Sequence, residues 1–248
     1  MARTVPASRL PSLIEAALRV FSLKGFRRAQ MADIAREMGM SPGSLYNHVE
    51  SKEALFYLVI DLGFGEQASR PPSFPVRTPP PGTIAKRVEE LFKTAADTPA
   101  LAAALERPRA EDPSAELDAI VRELYAISDR TAAATRMLER SSFDLPELAD
   151  VFYRKVRGRL VSRIARLIES RADAGQFRRV PYPTVTARLL IETVTWFARN
   201  RHGDPASQDI TDQAAEEAVV DVLVNSSVVP GQPTNRRVRR ANRVSRSK

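Results

Sequence analysis

Ser44, Tyr46, Asn47 and His48 bring a hydroxyl, a phenol, a carboxamide and an imidazole onto one short stretch of this 248-residue chain. Such groups donate to and accept from phosphates and base edges. Leu45 and Val49 lie among them at i and i+4, so the same stretch has an apolar face. Ser41 is a helix N-cap, Pro42 occupies the first helical position, and Met40 and Leu45 have the spacing of a hydrophobic staple. These signals predict a short helix from Pro42 to about Val49. Ahead of it, Ile34, Ala35 and Met38 share a helical face, and Gly39 supplies a left-handed stop. Beyond it, Ser51 caps the next helix, with Lys52 and Glu53 in its first turn. Two short helices joined by a turn of about three to four residues form a helix-turn-helix, whose second helix enters the major groove of DNA. Gly43 costs such a helix about 1 kcal/mol relative to Ala, and close approach of the backbone to a large partner is a reason to keep it.

Residues 10–62 resemble the DNA-binding domain of the TetR (tetracycline-repressor-like) family of bacterial transcription regulators. The resemblance is carried by the apolar face of LPSLIEAALRVFSLKGF, by DIA, and by GMSPGSLYNHVESKEAL. Leu45-Tyr46, His48, and Lys52-Glu53 with Leu55 are its most specific part. The chain departs from the family pattern at Ala29 and Gln30, where a capping Thr or Ser is usual, and at Val49, where Phe is usual. The resemblance implies that Gln30, Ser41, Gly43, Ser44, Tyr46, Asn47, His48 and Lys52 face DNA. Sparse glycine, 10 residues, and apolar residues at helical rather than alternating spacing predict an all-α chain; the resemblance implies its plan, a three-helix head followed by a helical ligand-binding and dimerisation bundle.

Other chemistry finds little support. The two histidines, His48 and His202, lie in separate regions, and neither has a Glu three residues before it, so the di-iron bundle pattern is absent. No G-x-S-x-G, phosphate loop or dinucleotide fingerprint occurs. The chain contains no cysteine, hence no disulfide and no thiolate metal site. We expect no enzyme, metal or cofactor. With no signal-peptide core and no apolar run near the roughly 18 residues needed to span a bilayer, a cytoplasmic protein without a membrane partner is expected. The net charge of +8 resides in residues 231–248, which hold seven Arg or Lys; without them 31 bases face 30 acids.

The remaining elements must position the head. Leu10, Leu13, Ile14, Ala17, Leu18 and Phe21 trace a one-sided stripe on a first helix ended by Gly25. A fourth helix from Ser51 has Leu55, Leu58, Val59 and Leu62 on its inner face. Residues 69–82 contain six prolines and read as a stiff or disordered connector. The helical period then returns, predicting helices at about 83–96, 98–107, 114–140, 146–174, 181–202 and 210–228. The organisation expected is a disordered arm at 1–8, the DNA-binding domain at 9–65, the connector at 66–82, the bundle at 83–230 and a disordered basic tail at 231–248. Val185, Leu189, Trp196 and Phe197, with Ala214, Ala218 and Val222, form stripes on the last two helices and are candidates for a homodimer interface. Tyr125, Met137, Phe143, Phe152 and Tyr153 are candidate walls for an unidentified apolar or amphipathic effector. The expected partner is a double-stranded palindromic operator, released when the effector binds. Two other readings stay open: a DNA-coating protein, which the basic tail suits, and a helical small-molecule sensor with impaired DNA binding, which Gln30 suits.

Overall fold

Apolar side chains at helical spacing set the architecture, because each stripe needs an opposing stripe to leave water. The computed structural model describes residues 9–63, 73–95 and 98–230. The expected arm at 1–8, the start of the connector and the basic tail at 231–248 lie outside the described residues. The helices are α1 (Leu10–Arg28), α2 (Met31–Glu37), α3 (Pro42–Leu45), α4 (Lys52–Gly63), α5 (Thr83–Ala95), α6 (Pro99–Leu105), α7 (Pro113–Arg130), α8 (Ala132–Ser142), α9 (Pro146–Ala149), α10 (Gly158–Asp173), α11 (Pro183–Thr195) and α12 (Asp212–Ser227). Wider helical turns follow α9 at Asp150–Arg157 and α11 at Trp196–Asn200. Among the described residues, extended pairing is confined to Val49 with Val76 and Phe177 with Val228. The all-α class expected from the periodicity is what the chain adopts.

The chain forms two compact units, Met1–Asp97 with Thr131–Arg159, and Thr98–Arg130 with Leu160–Lys248. They do not divide at the proline-rich connector. The helix expected over 114–140 is instead two, broken at Thr131 with φ −97° and ψ 10°. The reason lies in α8, which packs along α1 within the first unit. Gly25 allows that approach. Its φ is +75°, and a β-carbon there would meet the Arg140 carbonyl oxygen at 3.2 Å and the Asp144 carboxylate at 3.1 Å. The Arg27 amide donates to the same Asp144 carboxylate at 2.8 Å. α4 is buried on more than its expected face, including Ala54, Phe56 and Ile60, because α1 and α5 both pack on it.

The second unit gathers α6, α7, α10, α11 and α12 around Leu117, Ile120, Ile164, Ile191 and Val219. Arg171 is fully buried there. Its guanidinium donates to both Glu116 carboxylate oxygens at 2.7 and 2.8 Å, and to the carbonyls of Ala104 and Arg107 that end α6. A bidentate pair with every donor occupied is the condition under which an interior charge is tolerated. In the first unit, Lys155 and Arg159 are likewise engaged in ion pairs, each binding Glu89 at 3.0 Å.

Candidate nucleic-acid interface

The α2–α3 turn is fixed by backbone bonds. Gly39 has φ +65°. Its amide donates to the Arg36 carbonyl at 3.0 Å, and the Met40 amide donates to the Ala35 carbonyl at 2.9 Å. This is the Schellman closure that the glycine stop implies. The Ser41 hydroxyl oxygen accepts from the Ser44 amide at 3.3 Å and lies 2.9 Å from the Ser44 hydroxyl. Met40 packs against the core that holds fully buried Leu45 and Val49. These anchors leave Ser41, Gly43, Tyr46 and Asn47 exposed, with Tyr46 at 49%. Open space surrounds the missing β-carbon of Gly43. No neighbour among the described residues requires glycine there, which is consistent with approach by an outside molecule.

Three features differ from the expectation. Regular α3 ends at Leu45; residues 46–48 form turns, and Val49 leaves to pair with Val76. Its continuation is diverted because the proline-rich segment docks on it. The Val76 amide donates to the His48 carbonyl at 2.8 Å, and the Glu50 amide donates to the Val76 carbonyl at 2.9 Å. The Thr78 amide donates to the Glu50 carboxylate at 2.9 Å, and its hydroxyl to Ser51 Oγ at 2.8 Å. Residues 73–82 are therefore an ordered strap, the stiff form of the connector expected there.

His48 lies under that strap. It is only 4% exposed, with Nδ1 3.1 Å from the Ser44 carbonyl and its ring edge-on to Phe74 at 5.9 Å. Nε2 is buried without a hydrogen-bond partner among the described residues. Lys52 also differs from a free surface cation. Its ammonium donates to the Arg27 and Ala29 carbonyls at 3.3 and 3.2 Å and sits 4.6 Å from the Phe26 ring centroid. It holds α4 to the end of α1, where cations are favoured by the helix dipole. Gln30 is exposed at the N-cap of α2, and its own backbone amide donates to the Asp33 carboxylate at 3.1 Å. Lys24, 2.8 Å away, is the main reason the Asp33 carboxyl sits below the usual carboxylate range, with the Gln30 amide adding to the effect.

The five candidate effector residues do not gather in one unit. Met137 and Phe152 are buried in the core of the first, with Tyr153 stacked edge-on to Phe152 at 5.0 Å. Phe143, in the same unit, is 83% exposed. Tyr125 is buried in the second unit, where its hydroxyl donates to the Phe197 carbonyl at 3.2 Å and burial pushes its pKa up. The candidate dimer residues do share a surface character. Val185 and Leu189 on α11 are 56% and 63% exposed, Trp196 is 37% exposed, and Val222 on α12 is 60% exposed. Ala214 and Ala218 are exposed on the same α12 stripe. Phe197 is half-buried and meets Trp196 edge-on. Tyr182, absent from the sequence reading, extends the α11 face at 69% exposure. Its place seven residues before Leu189 was a legible signal.

A tight turn, a capped second helix and an exposed polar face define a helix-turn-helix DNA-binding protein. Residues 13–58 match the family described as "Bacterial regulatory proteins, tetR family", and residues 110–221 match "Tetracyclin repressor-like, C-terminal domain". The chain belongs to the TetR family of regulators. It is 38% identical over 58 residues to the "Uncharacterized HTH-type transcriptional regulator YfiR" of Bacillus subtilis, covering 23% of this chain and 28% of that one. It is 44% identical over 48 residues to the HTH-type transcriptional regulator UidR of Escherichia coli, covering 19% and 24%. The chain thus aligns with only about a quarter of the length of these curated relatives. Among solved structures, the ketosteroid transcriptional regulator KstR2 of Mycobacterium tuberculosis shares the fold with TM-score 0.57 at 16% identity, covering 91% of this chain and 97% of that one. AibR, solved with isovaleryl coenzyme A and operator DNA, shares it with TM-score 0.52 at 20% identity, covering 87% and 98%. Among the described residues no helix is long and apolar enough to cross a membrane.

Proposed function

We propose that the chain is a sequence-specific, DNA-binding transcriptional regulator that acts as a homodimer and leaves its operator when a small apolar or amphipathic effector binds. The observation that carries the reading is the exposed Ser41–Gly43–Tyr46–Asn47 surface, held rigid by buried Leu45 and Val49. Tyr46 and Asn47 read base edges or phosphates, and the Gly43 backbone admits the DNA. Two copies joined through α11 and α12 place two such surfaces on a palindrome, about 34 Å apart along the groove. The effector must favour one arrangement of the heads, since equal affinity for both shifts nothing. AibR, solved with both a ligand and an operator, lends the ligand-responsive part its support. The site of action is the cytoplasm, and no reaction is catalysed. His48 and Lys52 serve the interface by positioning the chain on either side of it.

A gel shift on the DNA flanking the chain's own gene, at two salt concentrations, tests the reading. Retention of one sequence over competitor DNA at the higher salt supports it. Loss of all binding at that salt favours a DNA-coating protein, because phosphate contacts alone are salt-labile. No binding at either salt favours a sensor without a DNA function.

A further inference from the structure

A cavity of about 470 Å³ opens within the first unit, and it involves none of the five side chains considered above as an effector wall. Pro79, Pro80 and Pro81 of the strap form one side; Ile84 on α5, with Leu145 and Pro146 at the start of α9, completes the apolar lining. The turn that shapes it is rigid. Pro81 and Gly82 occupy its centre, Gly82 has φ +80°, and the Thr83 amide donates to the Pro80 carbonyl at 3.2 Å. That is the type II pattern, with proline and glycine at the positions that favour them. The charged residues lining the cavity are two acids, Glu53 and Glu147. Among the described residues neither is engaged in an ion pair. The volume falls within the range of small-molecule sites, about 300–1,000 Å³. Apolar walls favour a bulky hydrocarbon body, and two unpaired carboxylates select its charge.

The cavity also reaches the DNA-facing turn through covalent and hydrogen-bonded neighbours. Thr78 lines it and is tied to Glu50 and Ser51 at 2.9 and 2.8 Å. Two residues earlier, Val76 exchanges backbone bonds with His48 and Glu50. His48–Glu50 lies in the link between α3 and α4. A molecule wedged against Pro79–Pro81 therefore bears on a strap bonded to that link, and through it on the burial of His48.

The geometry points to this cavity as a binding site for a bulky, apolar organic monocation, whose occupancy shifts residues 76–78 against the α3–α4 link. The inference rests on the effector-responsive reading above and gives that effector a charge and a place. It selects against carboxylates and phosphates, which Glu53 and Glu147 repel. The strap carries the signal.

Calorimetric titration of the full chain with 4-tert-butylbenzyltrimethylammonium, with 4-tert-butylbenzoate as the anionic control, tests the site. The expected result is saturable binding of one cation per chain and no binding of the benzoate. Glu53→Gln with Glu147→Gln then weakens the cation about threefold to tenfold, as two rim charges do. Ala85→Trp, checked for a cooperative melt, narrows the cavity and abolishes binding. Hydrogen exchange slows or quickens in peptides spanning 48–51 and 74–78 when the cation is present. Absence of saturable binding, equal binding of the benzoate, or unchanged affinity in the double variant overturns the site. Unchanged exchange in those peptides overturns the coupling. A gel shift on the same preparations separates this from the wider reading. Specific DNA retention without cation binding removes the site and leaves the regulator. Cation binding without DNA retention at either salt removes the regulator and leaves a ligand site.

Discussion

Two exposed aromatic side chains, Tyr46 on the head and Trp196 beyond α11, have comparable exposure at 49% and 37% but opposite neighbourhoods. Around Tyr46 in sequence are Ser41, Gly43, Ser44 and Asn47, groups that exchange hydrogen bonds with water until a polar partner replaces it. Trp196 shares its helix face with Tyr182, Val185 and Leu189, and Val222 lies on the next stripe; only an equally apolar partner improves on water there. In the reading proposed above both are contact surfaces, and the neighbours decide what kind. The first suits a nucleic acid, which brings its own polar groups. The second suits a second copy of the same face, which brings none.

The harshest way to break that contrast is to put a charge on the apolar face. Leu189→Arg, now 63% exposed in the single chain, would bury an unpaired cation between copies. An uncompensated buried charge costs about 3–5 kcal/mol, enough to convert a stable dimer to monomer at micromolar concentration. Sedimentation velocity should show that conversion, with the helical content of the chain unchanged. A dimer of wild-type stability would remove α11 from the interface.

The next largest effect lies beneath the polar surface. Leu45 is fully buried, and Leu45→Ala should destabilise the first unit by about 2–5 kcal/mol, through lost burial and the cavity left behind. Urea unfolding monitored by circular dichroism reads this directly. Dimerisation through the apolar face should survive in buffer, so the two surfaces fail separately. Joint failure would mean that they share one cooperative unit.

What the sequence made visible follows where local chemistry decides. Gly39, Ser41 and the Leu45–Val49 pair are each specified within about five residues of chain, and all three behave as their types demand. Val185, Leu189 and Val222 were visible for the same reason, since helical phase alone brings them out on one face. The strap was not visible. Six prolines signal the absence of a helix, yet one bridge between Val49 and Val76 leaves no periodic trace. His48 was read as an outward polar group, because helical phase says nothing about a segment about thirty residues later that covers it. The break at Thr131 has neither glycine nor proline; it is imposed by α8 packing on α1 at Gly25, more than a hundred residues away. Phe143 reads as a wall residue by type, but at the C-cap of α8 it points away from any core.

A milder change sharpens the contrast from the polar side. Tyr46→Ala should weaken DNA binding by about 1–3 kcal/mol, roughly fivefold to 150-fold, in the gel shift described above. The same variant should dimerise and melt as wild type, because Tyr46 is half exposed and no core packing depends on it. Unchanged DNA affinity would remove Tyr46 from the interface.

The smallest effect concerns Asp33, which closes the N-terminus of α2 ahead of the α2–α3 turn. Its folded-state pKa lies below the ordinary carboxylate value, chiefly through the hydrogen bond with Lys24 and then the Gln30 amide. A group depressed in this way stabilises the folded state above its unfolded pKa, and that contribution disappears as pH falls through the folded value. Asp33→Asn keeps an acceptor for the Gln30 amide but loses the charge at the helix N-terminus and the Lys24 pair. The loss at pH 7 should be about 0.3–1 kcal/mol, in line with charges at helix ends. As pH falls below the carboxylate range, wild type loses the same contribution, so the two unfolding curves should converge. A difference that persisted at low pH would show that Asp33 acts through packing rather than charge. The polar surface would then rest on shape beneath it, as the apolar one does.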